Sequence, residues 1–139
     1  EQTEPDGEET GTEAREPGLR LLIADDNPKV LGLLEKNFHR LKIPVVTAMG
    51  FEEAGKLLKP RTFDAVVADQ YMEGGSAVDF CMSIQGQYPG LIKIVMADKV
   101  DKELAEARQR GIIDGYIDKP VSDTPILKAL RNCGREMEA

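Results

Sequence analysis

The chain has 139 residues, 41% of them hydrophobic and 31% charged, and a formal net charge of −7. That length suits one domain with a proper core and scarcely two, and the composition is that of an ordinary soluble globular protein. The charge argues against a non-specific nucleic-acid binder or a basic membrane-surface module, and no apolar run reaches membrane length.

The charge is uneven. Residues 1–18, EQTEPDGEETGTEAREPG, hold seven acids and one Arg, a net of −6, which leaves −1 for everything else. With almost no apolar side chain, this segment cannot bury enough surface to offset its ordering entropy, and it reads as a disordered tail or linker. The domain proper is expected over residues 19–135, with 136–139 as a short C-terminal end. Cys81 and Cys133 lie far apart, and His39 is the single histidine. That pattern suits neither a disulfide framework nor a zinc site and points to a reducing, cytoplasmic setting.

From Leu19 onward, short apolar runs alternate with helical patterns. LRLLIA (19–24) is the first strand, followed by a helix capped by Asn27-Pro28 with Val30, Leu31, Leu34, Phe38 and Leu41 on one stripe. PVVTA (44–48) is the second strand, and Phe51 to Leu58 a short helix ended by Pro60. FDAVVA (63–68) precedes a helix from Ala77 to Ile84. LIKIVMA (91–97) precedes a helix from Lys99 to Arg110, with Val100, Leu104 and Ala107 inward. GYI (115–117) precedes a helix from Ser122 to Arg131, with Ile126, Leu127 and Leu130 inward. Nearly continuous branched strands suit a parallel sheet covered on both faces. Five βα repeats predict a doubly wound α/β fold, whose ligand sites lie at the carboxyl ends of the strands.

Those ends carry a pattern. The first strand runs into Asp25-Asp26, the third into Asp69, and the fifth into Asp118, Lys119 and Pro120. Each has an ordinary reading by itself: adjacent acids cap helices, an acid after a strand is a turn residue, and a lysine before proline is a solvated side chain. Their conjunction on one sheet edge points to chemistry. Crowded carboxylates stay ionised together beside a cation, and all-oxygen ligation selects a hard ion such as Mg²⁺. A carboxylate beside such an ion, with a lysine near, suits attack on a phosphoryl group.

Three stretches, LLIADDNP (21–28), FDAVVADQYMEGG (63–75) and GYIDKP (115–120), resemble the receiver domains of bacterial two-component response regulators. The resemblance implies a flavodoxin-like five-stranded parallel sheet of order 2-1-3-4-5. It implies Mg²⁺ held by Asp25, Asp26, Asp69 and the backbone carbonyl of Tyr71. Asp69 would take a phosphoryl group from a histidine kinase or phosphotransfer protein, and Lys119 would contact that group. It also implies a cis Lys119–Pro120 bond, and a signalling face, open to homodimer formation, on the fourth helix, fifth strand and fifth helix. Tyr116 matches the family's aromatic switch residue; its alternative reading is a half-buried strand tyrosine.

Three positions depart from the family pattern. Ala97 stands where the fourth strand ordinarily ends in Ser or Thr, and no Ser or Thr occurs from residue 84 to residue 121. Glu73 replaces the usual Pro, and Asp98 a small neutral residue; Asp98 reads as the cap of the fourth helix, with Lys99 offsetting its charge. Tyr71, Glu73, Asp98 and Lys99 are accordingly the residues expected to modulate the site. One lost neutral hydrogen bond costs roughly 1–2 kcal/mol, so the acceptor chemistry survives while the conformational switch is in question. The rival readings are a non-phosphorylated pseudo-receiver acting as an interaction module and, less well matched, a small Mg²⁺-dependent phosphatase. The latter lacks a general acid two residues beyond Asp69, where Tyr71 stands. The leading reading is a phosphoryl acceptor rather than a turnover enzyme.

Overall fold

The computed structural model describes residues 19–119 and 123–138, with side chains through residue 133. The acidic segment 1–18 and the Lys119–Pro120 bond lie outside the described residues.

Strands β1 (Leu21–Ala24), β2 (Val45–Ala48), β3 (Ala65–Asp69), β6 (Ile92–Ala97) and β7 (Gly115–Asp118) form one parallel sheet of order β2-β1-β3-β6-β7. Counted without the small ribbon described below, this is the expected 2-1-3-4-5. Its register sets Leu21 beside Val45 and Ala65, Asp69 beside Met96, and Ala97 beside Asp118.

The alternation of side chains divides the core in two. Leu21, Ile23, Ala65, Val67, Ile94 and Met96 face helices α1 (Pro28–Arg40) and α5 (Asp123–Glu138), which contribute Leu31, Leu34, Phe38, Ile126 and Leu130. Leu22, Ala24, Val66, Ala68, Val95 and Ala97 face α2 (Phe51–Leu57), α3 (Ala77–Ser83) and α4 (Lys102–Gln109). Because both faces are covered, the central strands read as unbroken apolar runs. Helix α1 starts as its sequence dictates: Asn27 accepts a bond from the Lys29 amide, and Pro28 fills the first turn. Cys81 and Cys133 are buried and not joined in a disulfide, and burial pushes the Cys81 thiol up to about 12.

The structure corrects four local expectations. Helix α4 begins at Lys102 and not at Lys99, and its cap is Asp101, whose Oδ1 accepts from the Leu104 amide at 3.1 Å. Asp98 is exposed and lies before the helix. Strand β6 ends at Ala97, where the Lys119 amide bonds its carbonyl at 2.8 Å, and three residues separate that end from the Asp101 cap. Val100 is half-buried outside the helix. Leu41 ends α1 and is 48% exposed, not part of its buried stripe. Helix α5 runs on to Glu138, past Arg131, and Cys133 extends its buried stripe beyond Leu130. Finally, β4 (Tyr71–Met72) and β5 (Gly75–Ser76) pair antiparallel across a tight turn, where Gly74 takes φ +93°. Two-residue strands are too short to leave a periodic signal.

The cap assignment is testable. Asp101→Ala should cost about 1 kcal/mol in chemical denaturation, whereas Asp98→Ala should stay within about 0.5 kcal/mol of wild type.

Candidate functional site

The carboxyl edge of the sheet gathers the acids that the strands deliver. One carboxylate oxygen each from Asp25, Asp26 and Asp69 lies within 4.8 Å of the others. Asp25 follows β1 and is 1% exposed, Asp69 closes β3 and is buried, and Asp26 opens to solvent. From β7, Lys119 reaches across so that its Nζ lies 2.7 Å from Asp69 Oδ1.

Asp25 is the anomalous member. Its Oδ1 accepts from the Asn27 amide at 2.9 Å, but its Oδ2 is buried with no hydrogen-bond partner. Burial raises its pKa above the usual carboxylate range, and the charges of Asp69 and Asp26 add to the rise. The Asn27 hydrogen bond and the Lys119 charge oppose it. Burial alone pulls Lys119 down, but its hydrogen bond to Asp69 and the charges of Asp69, Asp25 and Asp98 outweigh that and hold it above the ordinary lysine value. An orphaned carboxylate oxygen beside two more acids is a donor set that fits a hard divalent cation.

Beside the acids opens a cleft of about 310 Å³ lined by Asp69, Gln70, Tyr71, Asp98, Lys99, Asp101 and Lys119. Asp98 and Lys99, expected near the site, do line it. Tyr71 is 58% exposed, and its hydroxyl donates to Glu103 Oε1 at 3.3 Å. Glu73 is exposed in the β4–β5 turn and is not among the residues lining the cleft. Ala97 is buried on the α4 side of the sheet and meets Lys119 through its carbonyl. Tyr116 pairs with Val95 and is half-buried against that same core.

One participant was not singled out from the sequence. Gln70, next to Asp69, is 4% exposed; its backbone N–H donates to the Met96 carbonyl at 2.7 Å, and its carbonyl accepts from the Ala77 amide at 2.8 Å. Its side-chain Nε2 donates to Asp101 Oδ2 at 3.2 Å. A polar residue directly after a strand that ends in an acid was the only available signal.

This constellation, on this sheet, is that of a receiver. Residues 21–131 match the response regulator receiver domain, and the chain belongs to that family. The response regulator protein PilR of Pseudomonas aeruginosa is 31% identical over 104 residues, covering 73% of this chain and 23% of PilR. The heme response regulator HssR of Staphylococcus aureus is 24% identical over 116 residues, covering 81% of this chain and 50% of HssR. The chain thus spans half or less of the length of these curated relatives. In fold it is similar to a CheY-like receiver domain protein from Methanospirillum hungatei, with TM-score 0.77 at 20% identity, covering 88% of this chain and 98% of that one. The response regulator TrrA of Thermotoga maritima, in complex with Mg²⁺–BeF, superposes with TM-score 0.68 at 20% identity, covering 83% and 98%.

The raised Asp25 pKa has a definite sign. The metal-free folded state holds the Asp25 proton more tightly than the unfolded state does, so this contribution is full at low pH and is lost as pH rises through the folded value. Asp25→Asn should therefore raise the melting temperature of the metal-free protein at neutral pH. If the cluster holds Mg²⁺, Asp25→Asn should also erase the stabilisation by that ion, which by mass action would reach about 2.7 kcal/mol at a hundredfold excess over Kd.

Proposed function

We propose that this receiver accepts a phosphoryl group on Asp69 from the phosphohistidine of a histidine kinase or phosphotransfer protein, in a Mg²⁺-dependent reaction. The observation that carries this reading is the short Lys119–Asp69 pair set against the Asp25–Asp26–Asp69 cluster. Asp25, Asp26, Asp69 and the Tyr71 carbonyl would hold the ion, which supplies charge neutralisation at the phosphoryl oxygens.

The chain's own residues do the rest. A carboxylate oxygen of Asp69 forms the new O–P bond as the P–N bond of the donor imidazole breaks. Lys119 ties up one Asp69 oxygen at rest, which leaves the other for attack, and it then finds new acceptors on the incoming group. Its high pKa keeps it charged for both roles. The β-sheet anchors both ends of this exchange, since Asp69 ends β3 and the Lys119 amide is pinned to Ala97. Positioning and charge are the main contributions a protein makes to phosphoryl transfer.

On this reading residues 19–135 form the receiver unit, which works in the cytoplasm as a phosphoryl acceptor and not as a turnover enzyme. It signals by changed protein association through α4, β7 and α5, including self-association, with no nucleic-acid contact of its own. No described helix is long and apolar enough to cross a membrane. The absence of a hydroxyl at Ala97 favours one competing reading, an interaction module that takes no phosphate.

Incubation with a phosphorylated phosphotransfer protein or acetyl phosphate separates the two. Wild type should acquire a phosphate labile to base and hydroxylamine, Asp69→Asn none, and Lys119→Met should transfer about 10²-fold more slowly, the usual scale for losing one charge-stabilising group. A wild type that stays unmodified under these conditions, and binds no beryllofluoride, is the interaction module.

A further inference from the structure

The cleft beside Asp69 contains a hydrogen-bond donor on the same side as the residue that lacks one. Gln70 and Asp101 both line it, along with Asp69 and Lys119. The Gln70 backbone is held at both ends, by Met96 and by Ala77, so only its side chain is free to change partner. At rest that side chain donates to Asp101 Oδ2, while Asp101 Oδ1 caps the Leu104 amide. One carboxylate thus joins the residue after the acceptor to the first turn of α4. The next residue repeats the link, since the Tyr71 hydroxyl bonds Glu103 in that same turn.

We infer that Gln70 is the switching donor of this receiver: its side-chain amide leaves Asp101 for an oxygen of the phosphoryl group on Asp69, and α4 loses the Gln70 tether, one of the two at its N-terminus. This deepens the phosphoacceptor reading and rests on it. A carboxamide N–H held by a carboxylate has two comparable acceptors once a phosphoryl group enters the cleft, and the phosphoryl carries more charge. The same charge repels Asp101, so both effects drive the exchange in one direction. Ala97 can offer no hydroxyl to the phosphoryl group, and its neighbour Met96 is buried on the opposite face of the sheet. Apart from the lysines, the side-chain donors lining the cleft are on the loop after β3, and Gln70 is the one whose acceptor caps α4. The switching contact therefore moves from the end of β6 to the loop after β3, while the element it controls is still α4.

The test uses beryllofluoride with Mg²⁺ on the full chain, reading its binding by fluorescence or calorimetry and the first turn of α4 by amide hydrogen exchange at residues 102–105. In wild type, binding should speed exchange in that turn by about threefold to tenfold, the scale of one hydrogen bond. Gln70→Leu should bind beryllofluoride about threefold to tenfold more weakly and show no further change in α4 exchange on binding. Asp101→Ser keeps a good cap but is too short to reach Gln70, so α4 should exchange fast before any ligand arrives, and binding should strengthen. Asp98→Asn removes the same charge from the cleft without touching the tether; it should strengthen binding and keep the α4 response. The pair Gln70→Glu with Asp101→Asn reverses the hydrogen bond at constant charge and should restore slow exchange at rest. A merely structural role for Gln70 would alter free and bound states alike. Wild-type binding without any α4 response, or a full response in Gln70→Leu, overturns the inference and leaves the acceptor reading intact. A wild type that binds no beryllofluoride overturns both.

Discussion

Crowded negative charge at the carboxyl edge of the sheet is the constraint on which the rest of this receiver depends. Three carboxylate oxygens within 4.8 Å of one another repel, by on the order of 3 kcal/mol per ionised pair at the effective dielectric of a protein surface. Such a group persists only if its backbone cannot relax. Asp25 and Asp69 are held by β1 and β3, adjacent central strands whose residues are buried on both faces. The two hydrophobic cores are therefore what keep the acids together, and Lys119 is the only counter-charge within hydrogen-bonding distance of any of them among the described residues.

That arrangement has a cost at rest and a use in reaction. At rest one Asp25 oxygen has neither solvent nor partner, and Asp69 is occupied by Lys119. Both defects are relieved by the species the proposed reaction introduces: a cation takes the orphaned oxygen, and a phosphoryl group gives Lys119 better acceptors. The neutral hydrogen bond lost at Ala97 is small beside these charge terms, roughly 1–2 kcal/mol. Acceptor chemistry and switch chemistry can thus vary separately, because different residues carry them.

How much of this was legible in the sequence follows the same division. The fold was readable because each strand is a short branched run and each major helix has a buried stripe, and Asn27-Pro28 names the start of α1 outright. The acids and Lys119 were readable because strand ends in such a sheet converge. What escaped was decided by tertiary context. Asp98 and Asp101 are equally good caps by residue type; the choice shows only in the folded chain, where Asp101 accepts from the Leu104 amide and from Gln70 across the cleft. The β4–β5 ribbon depends on Gly74 at positive φ, over strands too short for any period to register. Gln70 escaped because its significance lies in a partner 31 positions away.

The α4 terminus shows why these misses belong together. Helix N-termini ordinarily offer positive potential to an anion, yet here Asp101 caps the helix and Glu103 occupies its first turn. The end of α4 nearest the cleft is thereby acidic, and it is held to the acceptor loop by Gln70 and Tyr71, through acceptors on Asp101 and Glu103. A dianionic group on Asp69 would raise the energy of that acidic end while competing for the donors that hold it. The same carboxylate that fixes where α4 begins therefore makes its position sensitive to charge at Asp69. Local capping chemistry and long-range response are one interaction viewed from two sides, which is how a receiver without a strand-end hydroxyl can still possess a responsive α4.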